Sequence, residues 1–374
     1  MKNFSSGKEQ NQGYYKSFQP NTINRNWMID DMKVLQLLSK ADRQVGRLDM
    51  YSEYVNIDLF IQMHITKEAT QSSKIEGTQT NMEEAFLKRE DISQEKRDDW
   101  EEVQNYIQAM NHAVEQLHTI PFSTRLIKQT HKILLQGVRG THKLPGEYRT
   151  SQNWIGGASI NDAKFIPPIF DTVDDLISDI EKFANDEHNP MPDLLKIALI
   201  HYQFETIHPF LDGNGRVGRL LITLYLVDKG ILKRPILYLS DFFERNRMLY
   251  YDNLMRVRTH NDISQWFKFF LTGVIETAKK GGETFNEIMQ LSKTTEEKIT
   301  NLGARSADAH KVIESLYTNP IIDAQKIGEI IGKNPQSVYQ LIAKLEGLKI
   351  IEEITGAQRN RLYVYNEYLN IFKD

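Results

Sequence analysis

Between His208 and Arg219 the sequence reads His-Pro-Phe-Leu-Asp-Gly-Asn-Gly-Arg-Val-Gly-Arg. This short stretch places an imidazole, a carboxylate, three glycines and two arginines within reach of one another. An imidazole can act as general base near neutral pH. Asp212 offers a hard oxygen ligand of the kind Mg²⁺ prefers. Gly213-Asn214-Gly215 can turn successive N–H groups inward as an anion nest, and Arg216 and Arg219 can fork onto phosphate oxygens. Together they describe a site that holds a polyphosphate and its metal and removes a proton beside them. A lone histidine at a helix end would more often serve packing or capping, but the acid, nest and arginines that follow His208 reverse that reading. Zinc chemistry does not fit, because His-Glu-x-x-His is absent and His208 with Asp212 supplies only two ligands. A Walker loop is absent as well.

Such a loop has to be held by helices, and the apolar periodicity supplies them. Met32, Leu35, Leu38 and Ala41 recur every third residue, and Trp100, Val103, Ile107, Met110 and Val114 continue the helical spacing. Helices are also expected over 170–185, 192–208 and 216–229, with Gly230 as a stop, so the motif bridges the last two. The dipole at the start of the second favours bound anions. Between Gly137 and Pro168 the texture changes to turn-forming residues flanked by 153–157 and 163–167, which predicts two short strands joined as a hairpin.

The remaining composition bounds the rest. The 374 residues carry 40% hydrophobic and 26% charged side chains, with a net charge of −4 and no cysteine. Disulfides, thiolate metal sites and cysteine nucleophiles are thereby excluded, and no global field draws the chain to nucleic acid or anionic lipid. The longest nearly apolar run, Leu220 to Val227 with Thr223 inside it, is about eight residues, short of the ~20 of a membrane helix. The polar N-terminus carries no signal-like apolar core, so the expected location is cytoplasmic. Residues 1–28 read as a flexible arm, 29–115 as an N-terminal helical region, 116–293 as the catalytic core and 305–374 as a separate unit reached through a linker at 294–304.

The 208–219 stretch matches the signature His-Pro-Phe-x-[Asp/Glu]-Gly-Asn-[Gly/Lys]-Arg-x-x-Arg without a departure, and the chain therefore resembles the Fic family. That resemblance implies a mainly α fold, a Fic-type helical core bearing a β-hairpin flap. It implies protein AMPylation, in which AMP passes from ATP to a Ser, Thr or Tyr hydroxyl of a target protein, or of the chain itself, with Mg²⁺ as cofactor. His208 would deprotonate the hydroxyl, Asp212 would hold the metal, and Gly213, Asn214 and Gly215 would steady the phosphate oxygens. Arg216 would grip the leaving pyrophosphate and Arg219 the γ-phosphate. Trp154, Ile155, Gly156 and Gly157 resemble the flap that pairs with the target segment by strand addition. Tyr250 and Tyr251 resemble the stretch beside the nucleotide; adenosine contact and core packing weigh about equally there.

Farther upstream, Ser72-Ser-Lys-Ile-Glu76-Gly77 fits [Ser/Thr]-x-x-x-Glu-[Gly/Asn], which resembles the inhibitory helix of Fic proteins with an N-terminal brake. Glu76 would compete with the γ-phosphate for Arg219. The C-terminal unit, three helices followed by a hairpin, has the order of a winged helix. From residue 304 onward nine Lys/Arg face nine Asp/Glu, and the segment 335–347 carries only Lys344 and Glu346. An interaction or homodimer module is therefore favoured over DNA binding. Removal of AMP, another nucleotide donor, and a nucleotide-sensing DNA-binding regulator stand as alternatives; an intact base argues against the last.

Overall fold

The computed structural model describes residues 1, 3–54, 57–137 and 140–373; Val138 and Arg139, inside the 137–168 stretch, lie outside the described residues. The chain opens with a two-stranded antiparallel hairpin, β1 (Gly7–Asn11) and β2 (Lys16–Pro20). Helices α1 (Met32–Asp49), α2 (Tyr51–Tyr54), α3 (Asp58–Glu76), α4 (Met82–Phe86), α5 (Arg97–Gln116) and α6 (Thr124–Leu134) follow. The second half of the core is α7 (Val173–Asn185), α8 (Asp193–Ile207), α9 (Asn214–Asp228), α10 (Ser240–Arg245), α11 (Arg247–His260) and α12 (Ile263–Thr300). The C-terminal unit comprises α13 (Ser306–Thr318), β3 (Ile321–Asp323), α14 (Ala324–Ile331), α15 (Pro335–Gly347), β4 (Glu352–Glu353), β5 (Leu362–Val364) and α16 (Asn366–Phe372). The mainly α class expected from the sequence is the class observed. No helix among the described residues is long and apolar enough to cross a membrane.

Helix α8 is the central post. Every residue from Leu194 to Ile207 is buried, so it has no solvent face, and neighbours must cover it on all sides. Helices α7, α9 and α12 do so. Helix α1 presents Val34, Leu38, Ala41, Val45 and Leu48 as a buried stripe at helical spacing, laid along α12, and Asp31 caps its start by accepting from the Lys33 and Val34 N–H groups.

Three expectations need correction. Within 1–28, expected as a flexible arm, residues 7–20 form the hairpin, and beyond it Ile23 and Trp27 are buried and the Trp27 indole donates to the Ile23 carbonyl at 2.9 Å. Sparse apolar anchors among polar residues hide this in the composition. The linker expected at 294–304 is helical through Thr300, because Thr295 and Ile299 bury one turn apart and carry α12 into the C-terminal unit. The expected flap hairpin is reduced to one bridge, Ile155 opposite Phe165, with a 3₁₀ turn at Ile160–Asp162 between them.

In the C-terminal unit the three helices and the late strand pair lie where the sequence put them. A short strand after α13 and the terminal α16 were not anticipated. The sheet order is β3-β5-β4, all antiparallel. The unit packs against α3: Phe60 meets Tyr317 edge-on at 5.0 Å, and His64 meets Phe372 edge-on, also at 5.0 Å. Lys88–Asp323 and Lys373–Glu83 ion pairs flank that contact.

Candidate active site

His208 ends α8 in the left-handed region at φ 50°, unusual for a residue with a Cβ. The surroundings fix it there. Its carbonyl accepts from Arg149 Nε at 3.0 Å and from Asn153 Nδ2 at 3.1 Å, and its N–H donates to the Phe204 carbonyl. Burial pulls the imidazole down to about 3, with the charges of Arg258 and Arg149 adding to the effect and Glu76 opposing it. The ring is therefore neutral at physiological pH and able to accept a proton.

The loop after it is built on two further contacts. Phe210 is buried and stacks face to face on His131 at 3.6 Å. His131 takes its Nδ1 bond from the Gly146 N–H, which makes Nε2 the protonated nitrogen that donates to the Asp212 carbonyl. The Asn214 side chain closes the turn: its Oδ1 accepts from the Phe210 N–H at 2.8 Å, and its Nδ2 donates to the Phe210 carbonyl at 2.9 Å. Both ends of that amide are thus spent on the loop. A phosphate contact by Asn214 would have to come from its backbone, which with Gly215 and Arg216 forms the first turn of α9, whose N–H groups have no intrahelical partner. Gly213, at φ 74°, makes the left-handed step into that turn.

Asp212 is about half exposed, and its Oδ1 accepts from the Gly213 N–H at 2.6 Å and faces Arg216 at 3.7 Å. One accessible carboxylate beside a phosphate cradle fits Mg²⁺, which keeps several waters and takes one or two carboxylates with substrate phosphates. Arg216 also donates to Glu102 at 2.9 Å, a partner the sequence reading missed.

Glu76 lies directly over this cradle. Arg219 Nη2 donates to Glu76 Oε1 at 2.6 Å and to the Ser72 carbonyl at 2.9 Å, and its Nε donates to Ser72 Oγ at 2.9 Å. A Cβ at Gly215 would collide with Glu76 Oε1, so the carboxylate sits against the first turn of α9, where a phosphate would bind. Burial raises the Glu76 carboxyl, but Arg219, Arg216 and His208 outweigh it and hold it below the usual carboxylate range. Gly77 ends α3 in the left-handed conformation at φ 110°, as the glycine of that motif requires.

The flap residues lie beside this centre through Asn153, whose side chain reaches the His208 and Phe210 carbonyls. Ile155 pairs with Phe165, while Trp154 remains 40% exposed. Gly156 and Gly157 both hold positive φ, and a Cβ at Gly157 would meet the Asp162 backbone. The two tyrosines part company. Tyr250 is buried, stacks on Phe243 and hydrogen-bonds His201 Nε2 at 2.9 Å, while His201 Nδ1 reaches the Gly218 carbonyl. It braces α9 from behind within the core, whereas Tyr251 stays 41% exposed.

Glu205, His131, Glu102 and Arg258 also belong to the site and escaped the sequence reading. Only Glu205 left a trace there, three residues before His208 on the same helix. Its Oε1 is buried without a hydrogen-bond partner, and a Cβ at Gly218 would collide with it.

A loop of this composition, bridging two buried helices and covered by a glutamate from an upstream helix, is the arrangement of the Fic/DOC class, and the comparisons with known proteins agree. The Fic/DOC family N-terminal profile matches residues 35–115 and the Fic/DOC family profile residues 121–226. The chain belongs to the Fic/DOC family. A probable protein adenylyltransferase of Aquifex aeolicus is 30% identical over 189 residues, 46% of this chain and 56% of that protein. The protein adenylyltransferase Fic of Drosophila melanogaster is 31% identical over 125 residues, 33% of this chain and 23% of that protein. The chain thus spans little more than half of the first relative and about a quarter of the second. Among solved structures, a Fic family protein from Desulfovibrio desulfuricans superposes with a TM-score of 0.59 at 17% identity, covering 91% of this chain and 98% of that one. Fic-1 from Caenorhabditis elegans gives a TM-score of 0.52 at 19% identity, covering 69% and 74%. Those two likenesses concern the fold.

Proposed function

We propose that this protein transfers AMP from ATP to a hydroxyl of a protein side chain, and that Glu76 holds the reaction in check. The observation that carries this reading is the Glu76 carboxylate on Arg219, over the first turn of α9 and beside a neutral His208. A kinase-like role would need no brake at that spot, and simple nucleotide sensing would need no base.

In the proposed reaction the target hydroxyl oxygen attacks the α-phosphorus, the bond to the bridging oxygen of the β-phosphate breaks, and pyrophosphate leaves. His208 takes the hydroxyl proton. The N–H groups at the start of α9 take up the charge growing on the α-phosphate oxygens, and Arg216 and Arg219 bind the departing phosphates. Asp212 would hold Mg²⁺, which when bound neutralises charge on the α- and β-phosphates. The flap would present the target as an added strand. For the C-terminal unit we propose a winged helix serving a protein or homodimer contact, supported by its balanced charge.

The test is incorporation of label from α-labelled ATP, using wild type, Glu76→Gly and His208→Ala, into a cell lysate and into the protein itself. Glu76→Gly should label strongly, wild type weakly and His208→Ala not at all, and γ-labelled ATP should leave no label. Equal labelling by wild type and Glu76→Gly would remove the brake, and labelling by His208→Ala would remove the assigned base.

A further inference from the structure

The geometry points to Arg258 as a positioning residue that fastens the flap to the end of the helix carrying the base. Its guanidinium comes from α11, outside both signatures, and reaches two separate parts of the site. On one side Nε donates to Thr206 Oγ1 and Nη2 to the Glu205 carbonyl, each at 3.1 Å, in the last turn of α8 before His208. On the other side the guanidinium carbon lies 3.9 Å from the centre of the Phe165 ring. Phe165 is the flap residue whose backbone pairs with Ile155, so the cation grips the flap at its one bridge.

The same place is tied to the N-terminal hairpin. Phe18 packs its ring on Phe165 at 5.8 Å and donates its N–H to the Ile166 carbonyl at 2.9 Å. Ser6 Oγ and Ser6 N–H both donate to Asn261 Oδ1 at 2.7 Å, and the Arg258 carbonyl lies 3.4 Å from the same Oγ. Successive flap residues therefore face opposite ways: Phe165 pairs with Ile155, and the Ile166 carbonyl accepts one bond from Phe18. That closes the 165–167 edge and leaves the outer edge of 154–156 for an incoming strand. A flap with a single bridge of its own would be loose, and Arg258 with the hairpin supplies the stiffness it lacks. Arg258 also belongs to the charged set facing His208, with Arg149 acting alike and Glu76 and the Glu205 backbone acting oppositely.

The test is amide hydrogen exchange on the full chain carrying Glu76→Gly, alone and with Arg258→Met, Arg258→Lys or Phe165→Leu. Arg258→Met should speed exchange at positions 155 and 165 by at least about tenfold, as loss of a desolvated cation–π contact and two charge-assisted bonds implies. Amides in the middle of α9, at Leu221 and Leu224, should keep their protection. Phe165→Leu removes only the ring and should also loosen position 155, while Arg258→Lys, which keeps the charge without the fork, should fall between. AMP incorporation from α-labelled ATP should drop with an unchanged apparent KM for ATP; this arm rests on the AMP-transfer reading, whereas the exchange arm does not. Unchanged flap exchange in both Arg258→Met and Phe165→Leu would overturn the proposal, as would a uniform rise that includes α9. Should Glu76→Gly itself fail to incorporate AMP, the transfer reading falls and the exchange arm still judges Arg258.

Discussion

Glu76 and Arg219 meet at 2.6 Å from helices separated by more than a hundred residues of sequence, and the glutamate covers the helix start on which a nucleotide phosphate would sit. The arginine is almost fully buried and the glutamate about one-third exposed. Losing the glutamate leaves a buried cation with its Ser72 bonds but without its ion-pair partner, and the phosphate of a nucleotide would supply one. On the proposed reading, nucleotide and Glu76 compete for the same guanidinium.

Ser72 should act as a weaker part of the same brake. Arg219 Nε donates to its hydroxyl, and that bond helps aim Nη2 at Glu76. A hydrogen bond to a charged group contributes about 1.5–3 kcal/mol, and about 1.4 kcal/mol is a factor of ten in rate. Ser72→Ala should raise labelling from α-labelled ATP by at least about tenfold, short of the gain from Glu76→Gly. If Ser72→Ala labels no better than wild type, the Ser72 hydroxyl has no part in holding Arg219.

The brake should not respond to physiological pH. Arg219 and its neighbours hold the Glu76 carboxyl below its ordinary value, so the pair keeps its charges above the usual carboxylate range and loses them only as pH falls through the lowered value. The ratio of Glu76→Gly to wild-type labelling should be flat between about pH 6 and pH 9. A ratio that collapses toward one near pH 6 would mean that Glu76 protonates far more readily than its partners allow.

The contiguous motif and the six residues around Glu76 were legible in the sequence because local spacing carries them: a turn needs its glycines, and a helix end needs its left-handed residue. Arg258, Glu102 and His131 were not legible, because each arrives from another helix through packing and no local pattern announces it. The hairpin at 7–20 was missed for a related reason. Its anchors, Phe18, Ile23 and Trp27, are single apolar residues among polar ones, and tertiary contacts with the flap and α7 order them. Tyr250 illustrates the reverse case, in which a residue that the resemblance set beside a nucleotide turns inward to brace a buried histidine.

Acid should unfold the protein through its buried imidazoles. Burial pulls His64 and His201 down to about 3 and His131 to about 4, against 6.5 for a free imidazole. The unfolded chain therefore binds protons that the folded chain refuses, and stability falls as pH drops from about 6.5 toward 3–4. Urea midpoints measured across that window should decline steadily, and His201→Gln should decline less than wild type. An identical slope in His201→Gln would show that His201 is charged in the folded state.

Gly218 and Glu205 set a steric limit on the second signature arginine's helix. A Cβ at Gly218 would strike Glu205 Oε1 and come within 3.2 Å of the Phe204 ring, both fixed in the buried post α8. Overpacking of this kind costs about 1–3 kcal/mol. Gly218→Ala should lower Tm by several degrees, since each kcal/mol shifts a domain of this size by about 2–4 °C. An unchanged Tm would mean that Glu205 can move aside.

Glu205 should itself leave a pH signature opposite to that of the histidines. Burial pushes its carboxyl up to about 7, Arg219 works to lower it and Glu76 to raise it. Between the free value of about 4.5 and 7 the folded chain keeps a proton that the unfolded chain has released, so this residue's contribution to stability falls as pH rises through that range. The histidines act in the contrary sense over the same range, and only a difference between proteins isolates the glutamate. Glu205→Gln should therefore gain stability relative to wild type as pH goes from 5 to 8, by roughly 3 kcal/mol if the whole shift is expressed. In the Glu76→Gly background that gain should shrink, because removing the neighbouring negative charge lets Glu205 ionise earlier. Urea midpoints of the four proteins at pH 5 and pH 8 check both statements. Equal gains in the two backgrounds would show that the Glu76 charge does not act on Glu205.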